Sequence, residues 1–274
     1  GGPAEKAGIQ VGDELGMPDG SPFTSVGAFR GSASVRILDR RGPTGSDRSV
    51  LVAPDRINAL QAFLQATVQS VRIMSINRKR IGYIHLWTMG SPAFRRALDN
   101  AVTGRLKNTD GLILDLRDGY GGEPLGYGDI FFGPQISLDT RERSGSVSRS
   151  ITAYSQPMVA LINHGTRSAK EFLCYQLRKT RRADLVGTPT AGAFLGAQIF
   201  PIPPDGLVEL PVVSLRVDGV RLEGRGVAPD LDVPPTGIYT SNDRQLLRAE
   251  EILAPPIPQA VDSSPATPRR NHAS

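Results

Sequence analysis

The chain has 274 residues, 39% hydrophobic and 22% charged, with 32 Lys and Arg against 27 Asp and Glu for a formal net charge of +5. That balance belongs to a globular chain with a sizeable core and excludes a disordered one. A single cysteine, Cys174, excludes an intrachain disulfide, and with three histidines (His85, His164, His272) it forms no metal-ligand cluster, so neither metal nor cofactor is expected.

No apolar run reaches the length of a membrane span, and the first residues lack a signal-peptide pattern. The chain does not begin with Met, which fits a processed or trimmed N-terminus. Basic groups such as Arg78-Lys79-Arg80 and Arg178-Lys179-Thr180-Arg181-Arg182 are dispersed without interleaved aromatics. They read as solvated faces, and no nucleic-acid partner is expected.

In chain order, residues 1–15 read as a short helix between glycine turns, followed by a strand. Asp19-Gly20 is a turn, and residues 34–39 and 48–53 are strands flanking the polar loop around Gly42-Pro43-Thr44-Gly45. Ile57, Leu60, Leu64 and Val68 have helical spacing, predicting a linking helix over residues 57–68. Residues 71–75 and 81–86 follow as strands. Alternation puts Tyr83, His85 and Trp87 on one face, and Ile84 and Leu86 on the other. A lone strand histidine is ordinarily structural.

Ser91-Pro92 opens a helix through Val102. Residues 111–116 form a buried strand running into Arg117-Asp118-Gly119-Tyr120-Gly121-Gly122. Glycines there let backbone N–H groups approach a ligand closely, although no Gly-Lys-Ser/Thr of a phosphate loop follows. Residues 141–149 read as a polar surface loop.

The apolar run 158–162 is a buried strand, and Phe172–Leu177 has helical spacing, with Cys174 as a buried thiol. Between them a small turn delivers Ser168 to a helix start. Ser168 is there either a helix cap or a nucleophile facing helix N–H groups. Residues 184–186 form a short strand, and residues 187–193 a turn-rich loop. Strands are expected over 207–210, 212–217 and 220–222, with Asp218-Gly219 as a hairpin turn. A closing helix covers residues 243–253, and the Pro/Ser-rich residues 255–274 have a disordered composition.

Strands alternating with helices predict an α/β fold. Three turns together resemble the tail-specific, or C-terminal-processing, serine peptidase family. Asp115-Leu116-Arg117-Asp118-Gly119-Tyr120-Gly121-Gly122 is similar to D-L-R-x-N-x-G-G, and Gly165-Thr166-Arg167-Ser168-Ala169-Lys170-Glu171 to G-T/S-x-S-A-x-E. Gly226-Val227-Ala228-Pro229-Asp230 is similar to G-I/V-x-P-D. The N-terminal pattern around Gly2-Pro3-Ala4 and Ala7-Gly8-Ile9, ending in Gly12-Asp13, resembles the middle of a bacterial PDZ domain; the peptide-pairing strand of such a domain would precede Gly1.

The resemblance implies a ClpP/crotonase-like core at residues 77–254, an incomplete PDZ-like β-rich domain at 1–55, a linking helix and strand at 56–76, and a disordered tail at 255–274. It also implies an exported bacterial protein acting on polypeptides, of unspecified oligomeric state. The family's general-base lysine, in G-E-x-T-x-G-K-G, falls on Ala193, whose methyl cannot take a proton. A tricorn-core-like branch uses Ser-His-Glu instead. Its histidine strand matches Gly82-Tyr83-Ile84-His85, with Ile84 where tricorn has serine, and its glutamate matches Glu223.

The resemblance therefore implies a serine peptidase with Ser168 as nucleophile, His85 as general base and Glu223 as its orienting partner. Backbone N–H groups of Gly121 and Ala169 would form the oxyanion hole. His164 competes as base but, on the same turn, is expected to point away from Ser168. An inactive peptide-binding or scaffold member and a crotonase-like acyl-CoA enzyme stand as alternatives.

Overall fold

Five-residue apolar runs without polar alternation fit strands covered on both faces. The two clearest runs here obey that rule, since every residue of 111–115 and 158–162 is buried. The computed structural model describes residues 2–256, apart from Val26, Gly31, Ser32, Pro43, Thr44, Gln135 and Asp205. The tail expectation therefore lies, from residue 257 on, outside the described residues.

A one-turn helix α1 (Pro3–Lys6) precedes β1 (Glu14–Gly16), β2 (Val35–Arg40) and β3 (Asp47–Val52), an antiparallel sheet in the order β1-β2-β3. Its small core gathers Ile37, Val50 and Val52 with Leu15, Phe23 and Phe29. Helix α2 (Ala59–Ser70) is capped by Asn58, whose side chain accepts from the N–H groups of Leu60 and Gln61. Next come β4 (Arg72–Ile76), β5 (Lys79–His85), α3 (Pro92–Asn100), β6 (Gly111–Asp115), the short α4 (Asp129–Phe132), and β7 (Ser137–Arg141) with β8 (Val147–Ile151). The chain continues through β9 (Met158–Ile162), α5 (Ala169–Lys179), β10 (Asp184–Gly187), β11 (Leu195–Ile202), β12 (Gly206–Ser214), β13 (Leu231–Asp232) and α6 (Arg244–Leu253).

Six strands build the central sheet in the order β13-β10-β9-β6-β5-β4. All neighbours run parallel except β4, which is antiparallel to β5. The expected alternation holds. Ile84, Leu86, Leu112, Leu114, Ala160 and Ile162 face one cluster with Phe94 and Leu98 of α3 and Leu173, Cys174 and Leu177 of α5. Ile81, Tyr83, Ile113, Val159 and Leu161 face the other, closed by Ala249 and Leu253 of α6. The fold is mixed α/β, as expected.

Two expectations are corrected. Residues 141–149 are not all loop: β7 and β8 pair as an exposed hairpin, because a short Ser- and Arg-rich ribbon satisfies its backbone without needing a core. The strand expected over 212–217 ends at Ser214 as the last part of β12, and beyond it Val217 and Val220, the latter from the strand expected over 220–222, form only a bridge across Asp218 (φ 51°) and Gly219 (φ 77°). The main partner of β12 is β11, whose Gly196 and Pro201 weaken its strand pattern.

The parallel strands place their C-terminal ends together, with His85 opposite Asp115 and Asp115 opposite Leu161. In open α/β sheets that edge is where ligands bind. Leu114→Ala should lower stability by about 2–5 kcal/mol in urea unfolding, whereas Ile199→Ala on the exposed ribbon should change it by about 0.5 kcal/mol or less. Equal losses would contradict this division between core and ribbon.

Candidate active site

Strand β9 ends at Ile162, and a five-residue turn brings the chain to Ser168 at the N-cap of α5. Ser168 has φ 56° and ψ −129°, a conformation that costs a non-glycine residue on the order of 1–3 kcal/mol. Its surroundings therefore have to over-determine it. Its N–H donates to Ala193 O and to Glu171 Oε2, both at 3.0 Å.

Glu171 extends that hold. Its buried carboxylate also accepts from Ala193 N (3.0 Å), Gly192 N (2.7 Å) and Thr190 Oγ1 (2.6 Å). Thr190 Oγ1 in turn accepts from Val227 N at 2.7 Å. One carboxylate thus joins the Ser168 turn to residues 190–193 and, through Thr190, to the turn at Val227.

The facing wall comes from the loop after β6. A Cβ built on Gly121 would lie 2.4 Å from Ser168 Cβ, 2.7 Å from Ser168 Oγ and 2.9 Å from Ala169 N. Only glycine lets the backbone pass that close to the hydroxyl. Gly121 O accepts from Met89 N (2.8 Å) and Thr88 Oγ1 (2.9 Å), which fixes the carbonyl side of its peptide. Gly119, at φ 70° with Trp87 O 1.9 Å from a hypothetical Cβ, makes the tight bend before it. Ala169 N opens α5, where the helix end adds partial positive charge.

Beneath this loop lies a buried charge network. Arg117 donates to Asp115 at 2.6 Å, Asp243 at 3.0 Å and Gln245 at 3.1 Å, and Tyr83 OH donates to Asp115 at 2.8 Å. Burial raises the Asp115 pKa, but the charges of His85 and Arg117 and the hydrogen bonds outweigh it, leaving the carboxyl well below the usual range.

His85 is buried, with its ring stacked on Trp87 (3.8 Å between centroids) and Tyr239 (5.5 Å). Its Nε2 lies 2.9 Å from Arg117 O. A carbonyl only accepts, so Nε2 carries the proton and donates; in the neutral ring Nδ1 is then the basic nitrogen. Burial pulls the ring's pKa down, Asp115 opposes this, and Lys170 and Arg117 add to it, so the net shift is below the ordinary histidine value.

A family profile described as peptidase family S41 matches residues 80–233, more than half of the chain. The chain belongs to peptidase family S41. A carboxyl-terminal-processing protease of Picosynechococcus is 26% identical over 92% of this chain and 64% of its own length. Carboxyl-terminal-processing peptidase 2, chloroplastic, of Arabidopsis thaliana is 26% identical over 85% of this chain and 48% of its own. The chain thus spans roughly half to two-thirds of these relatives. Among solved structures, the fold is shared with a photosystem II D1 C-terminal processing protease (22% identity, TM-score 0.52, 92% of this chain and 70% of that one). It is shared too with the tricorn protease (22%, 0.54, 92% and 26%) and with a putative S41 protease from Bacteroides fragilis (20%, 0.58, 92% and 75%).

Within this S41 core, Ser168, Gly121 and Ala169 come together as expected, and Ala193 sits against the Ser168 N–H. Glu223 Oε2 accepts from Phe194 N, the residue after Ala193, at 2.5 Å. His85 is held instead on Arg117 O, and among the described residues no hydrogen bond joins it to Ser168 or Glu223. His164 is exposed, and Cys174 is a buried thiol whose pKa burial pushes up.

Sequence reasoning missed the roles of three residues. Glu171 stood in the motif without a role, although a glutamate three residues after a helix-opening serine is a capping-box signature. Lys170 falls on the apolar stripe with Leu173, Cys174 and Leu177, a spacing that marks it as buried. Tyr239 sits in a loop with no periodic signal.

Glu171→Gln replaces two acceptor positions with an N–H₂ facing donors, leaving buried N–H or O–H groups unpaired. A stability loss of about 2–4 kcal/mol is expected by chemical denaturation, with faster amide exchange confined first to residues 190–193. Wild-type stability in this variant would show that the carboxylate is not the tie described.

Proposed function

We propose that the chain is the peptidase-bearing part of a carboxyl-terminal-processing serine protease, hydrolysing polypeptides through Ser168, His85 and Glu223. The observation that carries the reading is the strained Ser168 at the start of α5 with the Gly121 backbone packed against its hydroxyl. Strain of this kind persists where function requires it.

In this reading Ser168 Oγ attacks the scissile carbonyl carbon as neutral His85 takes the hydroxyl proton. The carbonyl oxygen, now anionic, receives the N–H groups of Gly121 and Ala169. His85 returns the proton to the leaving amine as the C–N bond breaks, and water then releases the acyl group from Ser168. Glu223 orients the ring and stabilises the imidazolium. Both assignments require changes from the resting contacts. His85 leaves Arg117 O, so that one ring nitrogen turns to Ser168 and the other to Glu223, and Glu223 gives up Phe194 N–H. Catalytic hydrogen bonds commonly tighten only with substrate bound.

The same reading takes residues 77–254 as a ClpP/crotonase-like core, to whose central sheet the preceding link contributes the edge strand β4. Residues 1–55 are the later part of a PDZ-like domain, and residues 56–76 are the link. An exported protein fits the kinship with processing proteases, and among the described residues no helix is long and apolar enough to cross a membrane.

A second reading is a catalytically silent member that binds peptides or serves as a scaffold. Ala193 at the family's lysine position, and the engagement of His85 and Glu223 elsewhere, favour it.

A fluorophosphonate probe separates the two. The wild type should be labelled, Ser168→Ala should not, and His85→Ala should react at least about 10³-fold more slowly. Folded but unreactive wild type would establish the silent reading. Because the neutral ring is the base, labelling should fall as pH drops through the His85 pKa, with its midpoint below the ordinary 6.5. Ala193→Lys should bring no gain; a large gain would overturn His85 as base.

A further inference from the structure

Lys170 has no part in that mechanism, yet it is fully buried at the second helical residue of α5. Its side chain runs beneath the Ser168 turn to the loop after β6. There Nζ donates to Asp118 O at 2.7 Å and to Leu116 O at 3.4 Å. Both acceptors are neutral carbonyls, and no salt bridge pairs Lys170 with a carboxylate among the described residues. A buried ammonium without a carboxylate partner is costly, and an apolar side chain of the same length would fill the space at less cost.

The site has reason to keep it. Asp118 is held from every side: its N–H donates to Asn163 Oδ1 (3.1 Å), and Oδ1 accepts from Asn163 Nδ2 (3.0 Å). Its Oδ2 accepts from Tyr239 OH (2.6 Å). Asp118 has φ 51° and Ser168 has φ 56°, so both backbones lie in the left-handed region. Thr166 Oγ1, from the nucleophile turn, donates to the same Leu116 O at 2.9 Å. Three residues beyond Asp118 comes Gly121.

We infer that Lys170 is a positioning residue: by tethering the Leu116 and Asp118 carbonyls to the first turn of α5, it sets the spacing between the Gly121 and Ala169 N–H donors. The inference rests on the reading of Ser168, Gly121 and Ala169 as the reaction centre. Lys170 Nζ is committed to the Leu116 and Asp118 carbonyls, and in that reading the proton transfer belongs to His85. The charged and titratable groups around it are Arg167, Glu171 and Cys174 of the nucleophile turn and α5, Asp115, Arg117 and Asp118 of β6 and its loop, and His85 of β5. Burial brings the Lys170 pKa down to about 7, with Asp115 opposing. Ammonium and amine both keep N–H groups for the two carbonyls, so the tether survives the titration.

Lys170→Met keeps the length and removes the donors; Lys170→Gln keeps an N–H₂ on a shorter arm. In Lys170→Met, fluorophosphonate labelling at saturating probe should slow about 10- to 100-fold, with the half-saturating concentration unchanged. Amide exchange should quicken in residues 116–122 and at the start of α5, but not in α6 or β4. Lys170→Gln should fall between Met and wild type, and it supplies the measurement if the Met variant does not fold. Wild-type labelling and exchange in either folded variant, or a uniform rise in exchange across the sheet, would overturn the inference. If the wild type itself is not labelled, the peptidase reading fails, while local exchange in residues 116–122 still decides whether Lys170 is the tether.

Discussion

A single buried carboxylate organises the chemistry of this chain. Among the described residues Glu171 has no cation in hydrogen-bond contact; its oxygens are satisfied by three backbone N–H groups and one hydroxyl. A charge so solvated suits the positive end of a helix, and the first turn of α5 is where it sits. Satisfying it forces residues 190–193 against Ser168, and that contact holds the serine in a backbone conformation it would not adopt alone. The cost of strain at one residue is met by hydrogen bonds converging on another.

The sheet supplies the place for this arrangement. Parallel strands need crossovers, and the crossovers leave their turns gathered at the C-terminal edge. His85, Asp115 and the Ser168 turn leave three neighbouring strands at that edge. What differs among the three is burial: Ser168 is partly open, whereas His85 and Asp115 lie beneath, sealed by Trp87, Tyr239 and Arg117. The edge therefore carries the partly open Ser168 next to strand ends whose own side chains, His85 and Asp115, are buried.

Much of this was legible in the sequence because the signals were local. The runs 111–115 and 158–162 announced buried strands, and the alternation along β5 correctly separated Tyr83 from Ile84. The glycine at 121 read as a close approach, and the structure shows what is approached. Less legible were features set by partners distant in sequence. The β7–β8 hairpin is polar and exposed, so no hydrophobic period marks it. The β11 strand carries Gly196 and Pro201, which read as breaks. The motifs placed His85 beside Ser168 by analogy. The contact it makes in the structure, Arg117 O, is a backbone atom, and no residue type advertises where a carbonyl will point.

The Arg117 network has a consequence for how the chain is made. Two of that guanidinium's side-chain partners, Asp243 and Gln245, lie 126 and 128 residues further on, at the start of the closing helix. Until that helix is synthesised and docked, a buried cation beside Asp115 lacks two of its five side-chain hydrogen bonds. The Arg117 network is therefore complete only once the closing helix is in place. A growing chain would carry Ser168 long before it carries Asp243 and Gln245, so the loop above that network takes its final hold late.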